Sequence, residues 1–191
     1  MSSYTAFSGR QRAAAGSLAD IVHALTNTPP ADATLLVFDD TSGDIVELDL
    51  HGSLEKALAR LPEAPGTIDK PGPGRPKLGV VAREVTLLPR HWEWLAAQPG
   101  GASVVLRKLV EEASRSSRAK DKARASCEAC HRFMSHLCGD EPGFEEATRA
   151  LFAGDFDSVR TQIVRWPADL CAYAEKLLYA AQHDAYEARE D

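Results

Sequence analysis

Between residues 62 and 77 the sequence carries eight prolines and glycines: Pro62, Pro65, Gly66, Pro71, Gly72, Pro73, Gly74 and Pro76. Proline brings no N–H to a helix or a ladder, and glycine loses the most backbone entropy on ordering. Regular structure cannot run through such a tract, so the chain has to divide there. The reading that follows is α+β: a small α/β unit over 1–61, a linker over 62–78, a strand-helix-helix module over 79–116 and a helical subdomain over 117–191.

Before the tract, Tyr4 to Phe7 and Arg12 to Ala15 read as strands around a Ser8-Gly9 turn, and Ser17 is placed to cap a helix bearing Leu18, Ile21, Val22 and Leu25. Leu35-Leu36-Val37-Phe38 and the stretch from Ile45 to Leu50 flank Asp40-Thr41-Ser42-Gly43, which predicts a second hairpin. Ser53 then opens a short helix through Leu54, Ala57, Leu58 and Leu61. The unit offers no nucleophile with a base, no glycine-rich phosphate loop and no ligand cluster, so it reads as a scaffold or oligomerisation unit.

Within the linker, Gly74-Arg75-Pro76-Lys77 resembles the core of an AT-hook. That resemblance implies an extended arm narrow enough for the A·T minor groove, where negative potential attracts Arg75 and its neighbour Lys77. Arg83-Glu84-Val85-Thr86-Leu87-Leu88-Pro89 has the β-branched alternation of a single short strand ended by proline. A helix from Arg90 to Gln98 follows, with Pro89 at its start and Pro99-Gly100-Gly101 as its stop. Ser103 then stands as cap or first-turn residue of a second helix, whose Val105, Leu106, Leu109, Val110 and Ala113 form an apolar stripe.

Strand, helix, glycine turn and helix in this order, with Leu-Pro closing the strand, resemble the ribbon-helix-helix repressors. The resemblance implies a DNA-binding homodimer in which two copies pair their strands from Glu84 to Leu88 into an antiparallel ribbon for the major groove. It also implies a phosphate held by the backbone N–H groups of Gly101, Ala102 and Ser103 at the start of the second helix. One register turns Val85 and Leu87 inward and sets Glu84, Thr86 and Leu88 toward DNA; the other exposes Arg83, Val85 and Leu87. Both registers stay open at this point, with Arg83 and Thr86 as the polar residues near bases and Arg90 as the cation at the helix start. The family's core positions fall on Leu88, Thr86 and Glu84, two of them polar, and a Glu84 facing phosphates repels them.

Charge bears on that reading. The net charge of −6 is unlike a nucleic-acid binder, yet residues 70–132 hold 13 Lys and Arg against 6 Asp and Glu, a local +7 that leaves −13 on the 9 basic and 22 acidic residues elsewhere. A polyanion-facing segment fits this asymmetry, as does a solvated basic helix face. No apolar run approaches the roughly 18 residues of a membrane span, and the first residues lack the order of a signal peptide. The expectation is a cytoplasmic bacterial protein, at the nucleoid when DNA-bound, with its four cysteines as thiols.

Past the module, Arg115 to Lys122 reads as a continuing basic helix, with a break at Gly139 to Gly143. Three helices then fit, over 144–152, 156–166 and 168 to about 182, with stripes of Ala147, Leu151 and Phe152, of Val159, Ile163 and Trp166, and of Leu170, Tyr173, Leu177 and Leu178. Cys127-Glu128-Ala129-Cys130-His131 spells a c-type haem attachment motif, and Cys127, Cys130, His131 and Cys138 share a helix face on which zinc is geometrically imaginable. The same face is what a core stripe needs, so packing is the expectation, with no metal and no cofactor. His51 and His91 stand alone, Asp39-Asp40 reads as turn chemistry, and no catalytic constellation appears, so the expectation is a non-enzyme without a small-molecule substrate.

Taken whole, the sequence resembles an uncharacterised bacterial family, the domain of unknown function numbered 2239. The residues that carry this are Tyr4-Thr-Ala-Phe7, the run from Gly74 through Leu-Leu-Pro-Arg-His to Trp92, Gln98-Pro-Gly-Gly-Ala-Ser103, and Gly139-Asp-Glu-Pro-Gly-Phe-Glu-Glu-Ala-Thr-Arg-Ala-Leu-Phe152. This family supplies no activity. The function expected from the local pattern is a DNA-binding regulator or nucleoid-associated protein, with a non-DNA interaction or adaptor protein as the alternative.

Overall fold

The computed structural model describes residues 3–27, 34–51, 54–61, 81 and 83–190. Arg75, Lys77 and the rest of the 62–78 linker lie outside the described residues. The fold is α+β, with three strands and eight helices among the described residues, and it separates into two units. Residues 1–61 and 118–191 form the first, and 62–117 form the second. The N-terminal α/β segment and the helical tail, read from sequence as separate domains, therefore share one unit.

In the first unit, β1 (Tyr4–Ser8) pairs antiparallel with β2 (Gln11–Gly16) and with β3 (Leu35–Asp39), giving the order β2-β1-β3. Helix α1 (Leu18–Asn27) starts in a reciprocal cap: the Asp20 N–H donates to Ser17 Oγ at 3.2 Å and the Ser17 N–H donates to Asp20 Oδ2 at 2.9 Å. Strand alternation then sorts the apolar residues. Ala6 and Val37 pack with Ile21 and Leu25 of α1, while Phe7 and Phe38 join the larger core on the other face. A sheet covered on both faces explains why the Leu35 to Phe38 run has no polar member.

That larger core is built by α5 (Arg118–Leu137), α6 (Phe144–Ala153), α7 (Phe156–Ile163) and α8 (Ala168–Glu190). Phe133 of α5 and Tyr173 of α8 lie ring to ring at 4.6 Å, and both touch Phe7 and Phe38. Asp155 caps α7 by accepting from the Ser158 N–H at 3.1 Å. Helix α8 runs well past the predicted end near 182, and Phe152, placed in a core stripe by spacing, is instead 58% exposed.

The second predicted hairpin shrinks to one bridge, Phe38 to Ile45, followed by a bond from the Val46 N–H to the Val37 carbonyl at 2.7 Å. Its turn is drawn onto α5 instead. Gly43 adopts φ 70° with its Cα close against Ala129, and Arg132 donates to the Ser42 carbonyl. Val46, Leu48 and Leu50 still pack on the α1 cluster, so burial survives where the ladder does not. Helix α2 (Leu54–Ala59) contributes Ala57 to the buried set.

The second unit contains α3 (Pro89–Ala96) and α4 (Ala102–Ser116). Pro89 occupies the first turn of α3 behind an extended Leu88, as the sequence predicts. Gly100 at φ 94° and Gly101 at φ 76° make the turn between the helices, a conformation that disfavours any side chain with a Cβ. Of the two places the sequence offers Ser103, it takes the first turn of α4, behind Gly101 as the cap. One sequence expectation needs correction: the basic helix expected through 115–122 ends at Ser116, and α5 begins anew at Arg118.

Candidate nucleic-acid interface

Residues 83–88 precede α3 and belong to neither a helix nor a hydrogen-bonded strand. An isolated ribbon has no ladder to join within its own sheet, and the described sheet contains only β1, β2 and β3. All of the stretch is exposed except Leu87, which is half-buried. Leu87 lines an apolar groove of about 270 Å³ with His91, Trp94, Leu95, Leu106 and Leu109. Alternation in an extended ribbon then sets Glu84, Thr86 and Leu88 on the face opposite Leu87, with Arg83 on the Leu87 side. An extended ribbon would part Thr86 from Arg83, the two polar candidates for base contact. Arg90 is exposed in the first turn of α3.

The start of α4 is open. Gly101 has no side-chain cap, its own N–H is spent on the Gln98 carbonyl at 3.3 Å, and a Cβ built on it meets nothing within 4 Å. The N–H groups of Ala102 and Ser103 have no partner among the described residues. Two of the three groups expected to hold an anion are therefore free to do so, while Gly101 contributes openness in place of a donor.

Electrostatics divides the basic stretch. Five of the 13 cations of 70–132 lie on α5 in the first unit, where three are ion-paired. Lys122 Nζ sits 2.8 Å from Asp184 Oδ1 and 3.0 Å from Glu187 Oε2; Arg124 reaches Asp121 at 3.0 Å; Arg132 reaches Glu128 and Asp44, each at 3.4 Å. Arg83, Arg90, Arg107, Lys108 and Arg115 of the second unit make no ion pair among the described residues. Arg107 Nε instead donates to the Ser103 carbonyl at 3.1 Å, which holds its guanidinium near the start of α4.

The cysteine face turns into the core. Cys130 Sγ lies 3.7 Å from Met134 Sδ, and burial pushes the Cys130 and Cys138 thiols up to about 12. Burial raises Cys127 and Cys171 as well, so all four are thiols rather than thiolates near neutral pH. His131 stacks edge-on against Phe152 at 5.1 Å and shares a 3.2 Å contact with Ser135 Oγ. Metal-ligand geometry occurs elsewhere, where ligand atoms of His183, Asp184 and Glu187 lie within 4.8 Å of one another. The Lys122 ammonium stands in that place, and Ser126 Oγ also donates to Asp184.

Sequence reading missed Asp40. Asp39 is the turn residue, accepting from the Thr41 N–H at 2.8 Å and the Ser42 N–H at 3.1 Å. Asp40 accepts from Thr5 Oγ1 at 2.8 Å, Tyr173 Oη at 2.7 Å and Lys176 Nζ at 2.7 Å, tying β3 to α8. Burial works to raise its pKa, but bonds from Lys176, Ser3, Tyr173 and Thr5 outweigh it and hold the carboxyl below its ordinary value. Tyr173 and Lys176 lie more than 130 residues away and Thr5 lies 35 away, so no local pattern announces the site.

Among the described residues no helix is long and apolar enough to cross a membrane. One family model matches the chain, over residues 3–178, and it is described as an uncharacterised protein conserved in bacteria. No curated protein and no solved structure matches.

Proposed function

The chain belongs to the DUF2239 family of uncharacterised proteins conserved in bacteria, and we propose that it is a DNA-binding protein: a ribbon-helix-helix-type transcriptional regulator or nucleoid-associated protein of the cytoplasm, acting as a homodimer and without catalysis. The observation that carries this reading is the exposed 83–88 stretch, outside the sheet and directly ahead of a helix, a glycine turn and a helix with an uncapped start. Two copies pair these stretches into a ribbon that enters the major groove, with Thr86 facing bases and Arg83 and Arg90 nearer the backbone. The Ala102 and Ser103 N–H groups take a phosphate, which fixes register without reading sequence. Arg75 and Lys77 extend into the neighbouring minor groove. The test is titration of labelled duplexes at several salt concentrations. Binding that weakens steeply with salt, yet discriminates among duplexes, is the expected result. Affinity absent even at low salt refutes it.

A second reading, a protein-protein interaction or adaptor module, draws on two observations. The second unit has only 8 basic residues against 6 acidic ones, and Trp92 and Trp94 are exposed. Exposed indoles without a strong basic excess suit a protein surface. The same titration separates the readings.

A further inference from the structure

The C-terminal part of α8 gathers His183, Asp184 and Glu187, and Lys122 of α5 reaches into the group. Residues four apart share a helix face, so His183 and Glu187 present their donors side by side, with His183 Nδ1 3.8 Å from Glu187 Oε1. Asp184 completes the trio, its Oδ1 lying 3.5 Å from the same nitrogen. Ser126 Oγ donates to Asp184 Oδ2, which leaves Oδ1 to face the group. Tetrahedral zinc holds its donors about 2 Å away and hence on the order of 3.3 Å from one another, so these spacings need little adjustment to close on an ion.

Carboxylates crowd together on many surfaces without holding an ion, and two features separate this group from them. An imidazole nitrogen joins the oxygens, a donor set that suits a first-row divalent transition metal better than calcium or magnesium, which favour oxygen alone. The second feature is a shortage of positive charge. Asp184 keeps only 9% of its side chain exposed, and a buried carboxylate needs a matching cation. Lys122 Nζ supplies one charge to two carboxylates, 2.8 Å from Asp184 and 3.0 Å from Glu187. Among the described residues only the ionisable His183 pairs with them besides. The ammonium thus marks where a cation sits, yet its side chain is 55% exposed and can return to water when a divalent ion takes its place.

We infer that His183, Asp184 and Glu187 form a divalent transition-metal site of the zinc class, with Lys122 as the competing cation that the metal displaces. Three protein donors leave a fourth tetrahedral position to water. The site lies wholly in the first unit and goes beyond the DNA reading, which neither requires it nor supports it.

Isothermal titration of the full chain with zinc chloride, after treatment with a chelator, is the test. One equivalent should bind, and magnesium chloride should not displace it. His183→Ala and Glu187→Gln, both at exposed positions that keep the fold, should each weaken zinc at least about tenfold. Lys122→Met should do the reverse and tighten zinc about tenfold, since it removes the competing charge and keeps the apolar stem. Cobalt in place of zinc should give visible absorption without the thiolate charge-transfer band that ligation by any of the four cysteines would add. Zinc bound as tightly by His183→Ala, a thiolate band with cobalt, or no gain in Lys122→Met overturns the inference. So does a full chain that takes up no zinc at micromolar concentration.

Discussion

Gly43 is held where a side chain has no room: at φ 70° a Cβ there falls 2.3 Å from the Ala129 carbonyl oxygen. Both left-handed strain and a backbone clash oppose substitution, so Gly43→Ala should cost about 2–4 kcal/mol, measured by denaturant unfolding. Asp40, three residues earlier, makes a pH prediction. Its folded pKa lies below the ordinary 3.8 because donors from Lys176, Ser3, Tyr173 and Thr5 override burial. A depressed carboxyl contributes stability that is complete above the unfolded value and is lost as pH falls through the folded one. Stability should therefore hold at neutral pH and decline below about pH 4. Asp184 is lowered in the same sense, where bonds from Lys122 and Ser126 outweigh burial. Asp40→Asn should thus flatten part of the acid slope and leave the Asp184 part, a difference that pH-dependent melting resolves. An unchanged slope would show that the Asp40 network adds nothing to folding.

At the scale of elements, the proposed arm and ribbon act through separable physical effects. Arg75 in an A·T minor groove makes a shape-selected contact, so Arg75→Ala should weaken binding most on A·T-rich duplexes. Ser103→Pro removes one of the two free N–H groups at the start of α4 and should weaken all duplexes about equally, since phosphate carries no base information. Uniform loss in Arg75→Ala reduces the arm to an electrostatic tether. What the sequence discloses at this scale is whatever rests on neighbours in the chain. The Ser17 to Asp20 cap, Pro89 at the start of α3, the Gly100-Gly101 turn and the Val159, Ile163 and Trp166 stripe are legible because each is a local rule. The failures share the opposite cause. Ile45 to Leu50 keep strand chemistry but lose their ladder because Arg132 and Ala129, some 90 residues on, capture the turn. The candidate site was legible as order and composition, while the choice of Leu87 for the groove depended on tertiary packing.

At the scale of the whole molecule, charge and core are distributed unequally, and the two facts support one prediction. Residues 62–117 hold 8 basic and 6 acidic residues, so the remaining 14 basic and 22 acidic residues leave the first unit at −8 and the second at +2. The net charge of the first unit opposes a polyanion, so under the proposed reading the affinity is expected from the second. The first unit also holds the aromatic cluster of Phe7, Phe38, Phe133 and Tyr173, whose members come from both sides of the excised stretch. Replacing 62–117 by a flexible Gly/Ser bridge of about ten residues changes a loop, whose closure entropy varies slowly with length, and leaves that core complete. The shortened chain should therefore unfold cooperatively, keep the buried Trp166 with its 3.0 Å bond to the Pro142 carbonyl, and bind no duplex at any salt concentration. Fluorescence is diagnostic, since Trp166 is the one tryptophan left once Trp92 and Trp94 are removed. A red-shifted, noncooperative product would mean that 62–117 is required to hold the first unit together. Duplex binding by a well-folded product would instead move the nucleic-acid face onto the first unit, where the exposed Arg118 and Lys120 of α5 are the cations to mutate next.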